Sequence, residues 1–353
     1  MNRRPYGLLV GVAVVMGVAA FAASRISGQP LQDPDGSLGP SWLKMPILLS
    51  FAFVIDVLPR SLWRARHHLR DTLSEAKMLV REHWTRPRVA LVVIGLTTFY
   101  ITYVSYRNLK SYLPVLAGNP KDPMLHHIDR LLAFGHEPAV LMHAVLPGSL
   151  IAHLLAYVYL LFLPVSPMSL IVFLVWSRNI GYGYWYATSQ CVAWALGTVS
   201  YYLIPTLGPA FEYPWLYVDM PLTDVAKMQD ALWDSRIAVV YPIPFINSVQ
   251  SVAGFASLHV GIVLTLALIV QYTVRHAWLR RLMWVYLGLT VMSTLYFGWH
   301  YISDDIVGAL IAVVSVHVGG LATGQRFDRR GHRLPPASTE ADRREHAGLV
   351  RPG

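Results

Sequence analysis

The sequence predicts an all-α fold: a polytopic membrane helical bundle of about eight spans. Three observations carry this. The 353 residues are 54% hydrophobic and 14% charged, whereas soluble domains carry about 25% charged residues. Apolar runs near the roughly 20 residues needed to cross a bilayer recur along the chain. The basic residues collect between those runs instead of spreading over them, as positive-inside topology requires.

In chain order, the first run (7–24) follows Arg3 and Arg4 and reads as a retained signal-anchor helix. The second (44–63) is the weakest, because Asp56 and Pro59 interrupt it. Residues 64–88 hold seven Lys/Arg and place Leu69, Leu73, Ala76, Val80 and Trp84 on one helical face, the pattern of a basic interfacial helix. Runs at 89–106, 150–175 and 184–204 follow, the middle one kinked rather than split by Pro164 and Pro167. The single cysteine, Cys191, lies inside a run and excludes an intramolecular disulfide. The long segment 205–255 contains Thr223, placed to cap a short helix whose Val225, Met228 and Leu232 share a face and lie on the bilayer as a lid. Three further runs (257–273, 282–299 and 303–322) precede an Arg-, Pro- and Glu-rich tail expected to be disordered. The chain thus divides into a two-span region with its basic helix (1–88), a six-span core (89–322) and a tail (323–353).

Loop charge sets the orientation. Segment 64–88, Arg275/Arg280/Arg281 and the seven arginines of 326–351 all belong in the cytoplasm. Eight crossings satisfy all three clusters, with both termini inside and the ends bearing His259 and His300 outside a plasma membrane. Arg178 then falls on the cytoplasmic side. The formal net charge of +9 reflects this topology and not a nucleic-acid-binding face.

The chemistry gathers in Gly-Phe-Ala-Ser-Leu-His-Val-Gly (254–261) and Gly-Trp-His-Tyr-Ile-Ser-Asp-Asp (298–305). Ionisable groups at membrane depth are costly and mark function. The run down from His259 to Val274 and the run back from Leu282 to His300 have similar length, so the two imidazoles return to one side at similar depth. Asp304 is four residues after His300 and shares its face on a helix. A carboxylate there holds one ring nitrogen as N–H and leaves the other as a nucleophile. His259 is then placed to protonate a leaving oxygen and to activate the acceptor. Ser257 is a donor to phosphate, and Asp305, turned about 100° from Asp304, caps the last helix.

These residues carry a resemblance. Ser-Leu-His at 257–259 resembles the second signature of the type-2 phosphatidic acid phosphatase superfamily, usually Pro-Ser-Gly-His. Ser293 to Asp304 resembles its third, Ser-Arg-x5-His-x3-Asp. The resemblance implies a six-helix phosphatase-like core with two added N-terminal helices, a phosphohistidine on His300 oriented by Asp304, and His259 as general acid. It needs no cofactor and no metal. Ala256 and Thr294 replace the usual proline and phosphate-gripping arginine, and the first signature, Lys-x6-Arg-Pro, is absent after 184–204. In its place, Tyr-Tyr-Leu-Ile-Pro-Thr-Leu-Gly-Pro-Ala-Phe (201–211) is similar to the Pro-Thr-x-x-Pro segment of the inositol phosphorylceramide synthase-like (aureobasidin-resistance) branch. Residues 122–138 also resemble that branch, and the likeness spans about 90–322.

A phosphate dianion in a low-dielectric site needs compensating charge. Arg107 and Lys110, at the outer end of a core span, are the favoured phosphate ligands, with Arg130 third. The expected function is an integral membrane lipid phosphatase or phosphotransferase acting on a lipid phosphate among membrane lipids, with water or a polyol such as inositol as acceptor. A transporter or scaffold on the same fold is the competing reading, and the absence of an internal repeat weighs against it.

Overall fold

The computed structural model describes residues 6–34, 41–65, 69–177, 179–241, 252–327 and 333–334. Arg178, His67 and His68, and most of the tail lie outside them.

Thirteen α-helices occur among the described residues: α1 (Gly7–Ser27), α2 (Ser41–Arg64), α3 (Leu69–His83), α4 (Arg86–Leu116), α5 (Asp122–Leu132), α6 (Pro138–Val145), α7 (Ser149–Ile171), α8 (Ile180–Leu203), α9 (Pro209–Glu212), α10 (Asp224–Val240), α11 (Leu258–Thr273), α12 (Ala277–Tyr296) and α13 (Ile302–Ala322). Strand structure among them is one two-residue antiparallel pair, 326–327 with 333–334. The protein is an all-α, multi-pass membrane bundle, as the sequence predicts.

Among the described residues, five helical segments are long and apolar enough to cross a membrane: Gly7–Ser27, Pro46–Arg64, Arg86–Leu116, Ser149–Trp176 and Ile302–Ala322. The other three expected runs form α8, α11 and α12, and each departs from a lipid-facing span for a physical reason. Helix α8 packs against α4, α11 and α13 and buries Tyr186, Thr188, Ser189, Gln190 and Trp194. A helix enclosed by protein has no need of a purely apolar surface. Helix α12 begins with a basic first turn, Arg280 and Arg281. Helix α11 has only 16 residues, about 24 Å at 1.5 Å per residue, less than the roughly 30 Å hydrocarbon core.

One local expectation changes, and another holds in that α7 is not split. Helix α4 runs ten residues past the expected end of its span, to Leu116. Arg107, Asn108 and Lys110 look in sequence like an exit from the membrane, but here polar groups face protein: Asn108 is buried, bonded to the Gln32 backbone and to the Val104 carbonyl. Helix α7 runs unbroken through Pro164 and Pro167 and ends in a π-helical turn, Val172–Trp176.

At one end of the bundle, buried Arg88 donates to the carbonyls of Leu174, Val175 and Ser177. Asp56, the charge that interrupts the second run, is 2% exposed. It accepts from Trp84 at 2.9 Å and pairs with Arg60 at 3.1 Å, which pins α2 to the α3–α4 junction. The opposite end carries α5, α6, α9 and α10, and the two histidines.

Candidate functional site

The site is assembled from three connections that close over one end of the bundle. Segment 205–209, after α8, receives the strand-like entry to α11: Gly254 N donates to the Thr206 carbonyl at 2.9 Å and Phe255 N to Thr206 Oγ1 at 2.8 Å. Ala256 N donates to Ser200 Oγ at 2.9 Å, and Ser257 N to the Asp304 carbonyl at 3.0 Å. Thus the first histidine segment is bonded to both α8 and α13. Gly208 is obligatory here. Its φ is +100°, and a Cβ would meet the Trp299 carbonyl at 2.5 Å.

These bonds bring His259, at the start of α11, next to His300, in the turn between α12 and α13. Their ring centroids are 6.0 Å apart. His259 is half-buried, stacked on Tyr159 at 4.3 Å and against Phe162 at 4.2 Å. Tyr159 stacks in turn on Trp299 at 5.3 Å. His300 is 5% exposed, and its Nδ1 lies 3.4 Å from Asp304 Oδ2.

The His300–Asp304 contact does not arise as the i,i+4 spacing suggests. His300 precedes α13 and is not helical. Asp304 is the N3 residue of a capping box and accepts from Tyr301 N at 3.0 Å. The cap and the imidazole contact thus use one carboxylate oxygen, so Asp304, and not Asp305, caps this helix. Asp305 turns inward. Thr294 Oγ1 donates to it at 3.0 Å, the Ser257 hydroxyl lies against it, and its charge faces His300. Thr294, standing where the third signature has arginine, is therefore committed to a carboxylate. Ser257 is fully buried and its hydroxyl also caps α11 through Val260 N at 3.4 Å. Burial pushes the His300 imidazole down to about 4, with Asp305 opposing the shift and Lys110 adding to it.

The three basic candidates separate. Lys110 is the one whose charge reaches both histidines, with its Nζ 5.7 Å over the Tyr201 ring. Arg107, one turn earlier, donates to Tyr103 Oη at 3.2 Å and sits over that ring. Arg130 is not brought to the histidines: it pairs with Glu137 at 3.4 Å on the exposed side of α5.

Two carboxylates that sequence reasoning passed over hold the site together. Asp129 caps α13 from a distance in sequence, accepting from Ile302 N at 2.6 Å and from Ser303 N at 3.1 Å. Asp122 accepts from Leu207 N, Gly208 N and Tyr301 Oη, all at about 3 Å. The signal was present in segment 122–138, which carries two aspartates seven residues apart, two turns on one helical face. The partners, some 80 to 180 residues away, were not legible. Because Asp129 satisfies two orphan donors of α13 with a buried carboxylate, Asp129→Ala is expected to destabilise the protein by about 2 kcal/mol. Its thermal midpoint in detergent should fall measurably, and Asp129→Asn should recover part of the loss.

Helix α10 starts where expected, Thr223 Oγ1 accepting from Ala226 N at 3.3 Å. It packs on the bundle. Val225 is fully buried, Met228 and Leu232 pack beside it, and Gln229 donates to the Phe297 carbonyl at 2.8 Å. The helix roofs the turn that carries His300.

This junction offers a buried imidazole beside a carboxylate, a second imidazole facing it and a lysine whose charge reaches both. Such a set can attack an electrophilic centre, deliver a proton to what leaves and compensate negative charge. No curated protein and no solved structure matches the chain. The family model described as the PAP2 superfamily matches residues 123–318.

Proposed function

The chain belongs to the PAP2 superfamily, and from that premise we propose that it is a membrane enzyme cleaving the phosphate ester of a membrane lipid through a phosphohistidine on His300. The observation that carries this reading is the facing of His259 and His300, 6.0 Å apart, with Asp304 on the second ring. In the first step the free nitrogen of His300 attacks phosphorus and the P–O ester bond breaks. The departing oxygen keeps the electron pair and takes a proton from His259. In the second step an acceptor O–H gives its proton to His259 and attacks the phosphoryl group, the P–N bond breaks, and both imidazoles return to their starting state. Asp304 holds the Nδ1 side of His300 and stabilises the positive charge that forms on the ring. Lys110 compensates the phosphate charge, and Ser257 and Arg107 border it. Lys110 and Arg107 come from α4, which lies outside the matched segment. The charge clusters of the loops support a reading in which this end of the bundle faces outside the plasma membrane.

Two acceptors are consistent with this scheme, water and a polyol such as inositol. A crevice of about 20 Å³ bordered by Asp129, Tyr217 and Tyr301 lies beside His300, room for about one water, and we take water as the first acceptor to test. Purified protein given phosphatidate is expected to release inorganic phosphate, and adding myo-inositol should leave that yield unchanged. A new inositol phosphodiester appearing at the expense of phosphate would reverse that order. Absence of any turnover across a panel of lipid phosphates would remove the catalytic reading.

The depressed His300 imidazole has a visible consequence. The nucleophile must be neutral, and protonation removes it. Since burial lowers the ring to about 4, kcat/KM is expected to show no loss as pH falls through 6.5, the ordinary histidine value, and its acid limb, about tenfold per unit, should lie below about 4. A pH–rate profile with its acid limb near 6.5 would show that His300 is not in this environment during turnover.

A further inference from the structure

A cavity of about 590 Å³ opens between α2, α4, α7 and α8, within the range of small-molecule sites. Its walls are almost wholly apolar, among them Leu48, Phe51, Phe99, Leu170 and Trp194. On α4 it runs from Tyr103 to Leu96, and on α7 from Phe162 to Ile171. At 1.5 Å per residue these are about 10 and 14 Å along the bundle, close to one leaflet of a hydrocarbon core about 30 Å thick.

One end of this cavity adjoins the site. Phe162 lines it and also packs on His259 at 4.2 Å. Tyr103 lines it and accepts the hydrogen bond of Arg107. Trp194 lines it and meets Tyr106 at 4.5 Å, which adjoins the Tyr201 ring under Lys110. The other wall is α2, which comes from outside the matched segment. Asp56 anchors its far half, while Ile47, Leu48 and Phe51 stand 57%, 36% and 48% exposed over the opening.

We propose, on the basis of the lipid-phosphate reading above, that this cavity seats one hydrocarbon chain of the substrate, with α2 as the wall that holds the chain against α4 and α7. The length matches one leaflet, the lining is apolar, and two of its lining residues, Phe162 and Tyr103, contact His259 and Arg107. Moving a chain from lipid into an apolar groove gains little free energy, since lipid tails are as apolar as leucine. The groove therefore acts by placement: a seated chain holds the ester within reach of His300, and a substrate too short to fill it loses rate.

The test compares dioleoyl with dibutyryl phosphatidate in detergent micelles. Wild type should prefer the long-chain substrate. Leu48→Trp and Ser166→Phe, which fill the cavity from opposite walls, should each lower the ratio of kcat/KM (long over short) at least tenfold. A ratio unchanged in both variants overturns the proposal. A readout independent of turnover, and of variant folding, uses His300→Ala protein and a phosphatidate carrying a diazirine on its acyl chain. Crosslinks are expected in peptides spanning 46–51 and 162–171, competed by dioleoyl phosphatidate and not by dioleoyl phosphatidylcholine. Equal competition by phosphatidylcholine would mean that bulk lipid fills the groove, and crosslinks elsewhere would place the chain elsewhere. Either result overturns the seat while leaving the catalytic reading to its own assay. Crosslinking here without any wild-type turnover would support the seat and remove the chemistry.

Discussion

His300→Ala is expected to lower kcat on a lipid phosphate by about 10⁴-fold or more, the scale seen when the nucleophile of a covalent mechanism is removed. Nothing nearby replaces it. His259 is held between Tyr159 and Phe162, and the carboxylates Asp304 and Asp305 would meet a phosphate as like charges. The variant should fold, because most bonds that build the site run through backbone groups of 254–257 and 302–303, the imidazole adding one to the Gly254 backbone. Quenched wild type given radiolabelled phosphatidate should carry label that is stable to alkali and lost in acid, as a phosphoramidate is, and His300→Ala should carry none. Label of the same kind in the variant, or activity within about tenfold of wild type, would move the nucleophile elsewhere.

His259→Ala is expected to cost about 10²- to 10⁴-fold in kcat on the same substrate, the usual range for removing a general acid–base. Its signature is a dependence on the leaving group. A lipid alkoxide needs a proton to depart, whereas p-nitrophenolate does not. On p-nitrophenyl phosphate the variant should therefore still release a first equivalent of p-nitrophenol rapidly. It should then stall, because the same imidazole is needed to activate water against the phosphohistidine. A burst matched to enzyme concentration, followed by turnover slowed at least a hundredfold, is the expected trace. Loss of the burst along with the steady state would mean that His259 serves binding or packing instead.

Much of this arrangement was legible in the chain. Hydropathy and loop charge marked the helices, and the similar lengths of the runs from His259 to Val274 and from Leu282 to His300 put both rings at one end. What failed was the facing of individual residues. Arg130 and Asp129 are neighbours on α5, and a 100° rotation sends one outward to Glu137 and the other inward to cap α13. Asp304 and Asp305 split the same way: the cap falls to the first, while the second turns to Thr294. The boundary of α4 was misjudged because a run of polar residues reads as an exit from the bilayer, whereas here it faces other helices.

By itself, the sequence determined the fold class, the order of the helices and the pairing of two histidine segments at one end of a membrane bundle. These follow from quantities local to the chain: apolar length, charge between runs and the fixed rise of a helix. Only the tertiary structure decided that Lys110 and not Arg130 faces the imidazoles, that Asp122 and Asp129 lock the α13 turn, and that α2 closes an apolar groove leading to His259. Each depends on the rotation of a helix about its axis. That rotation is set by packing against residues tens to hundreds of positions away, which no local pattern encodes.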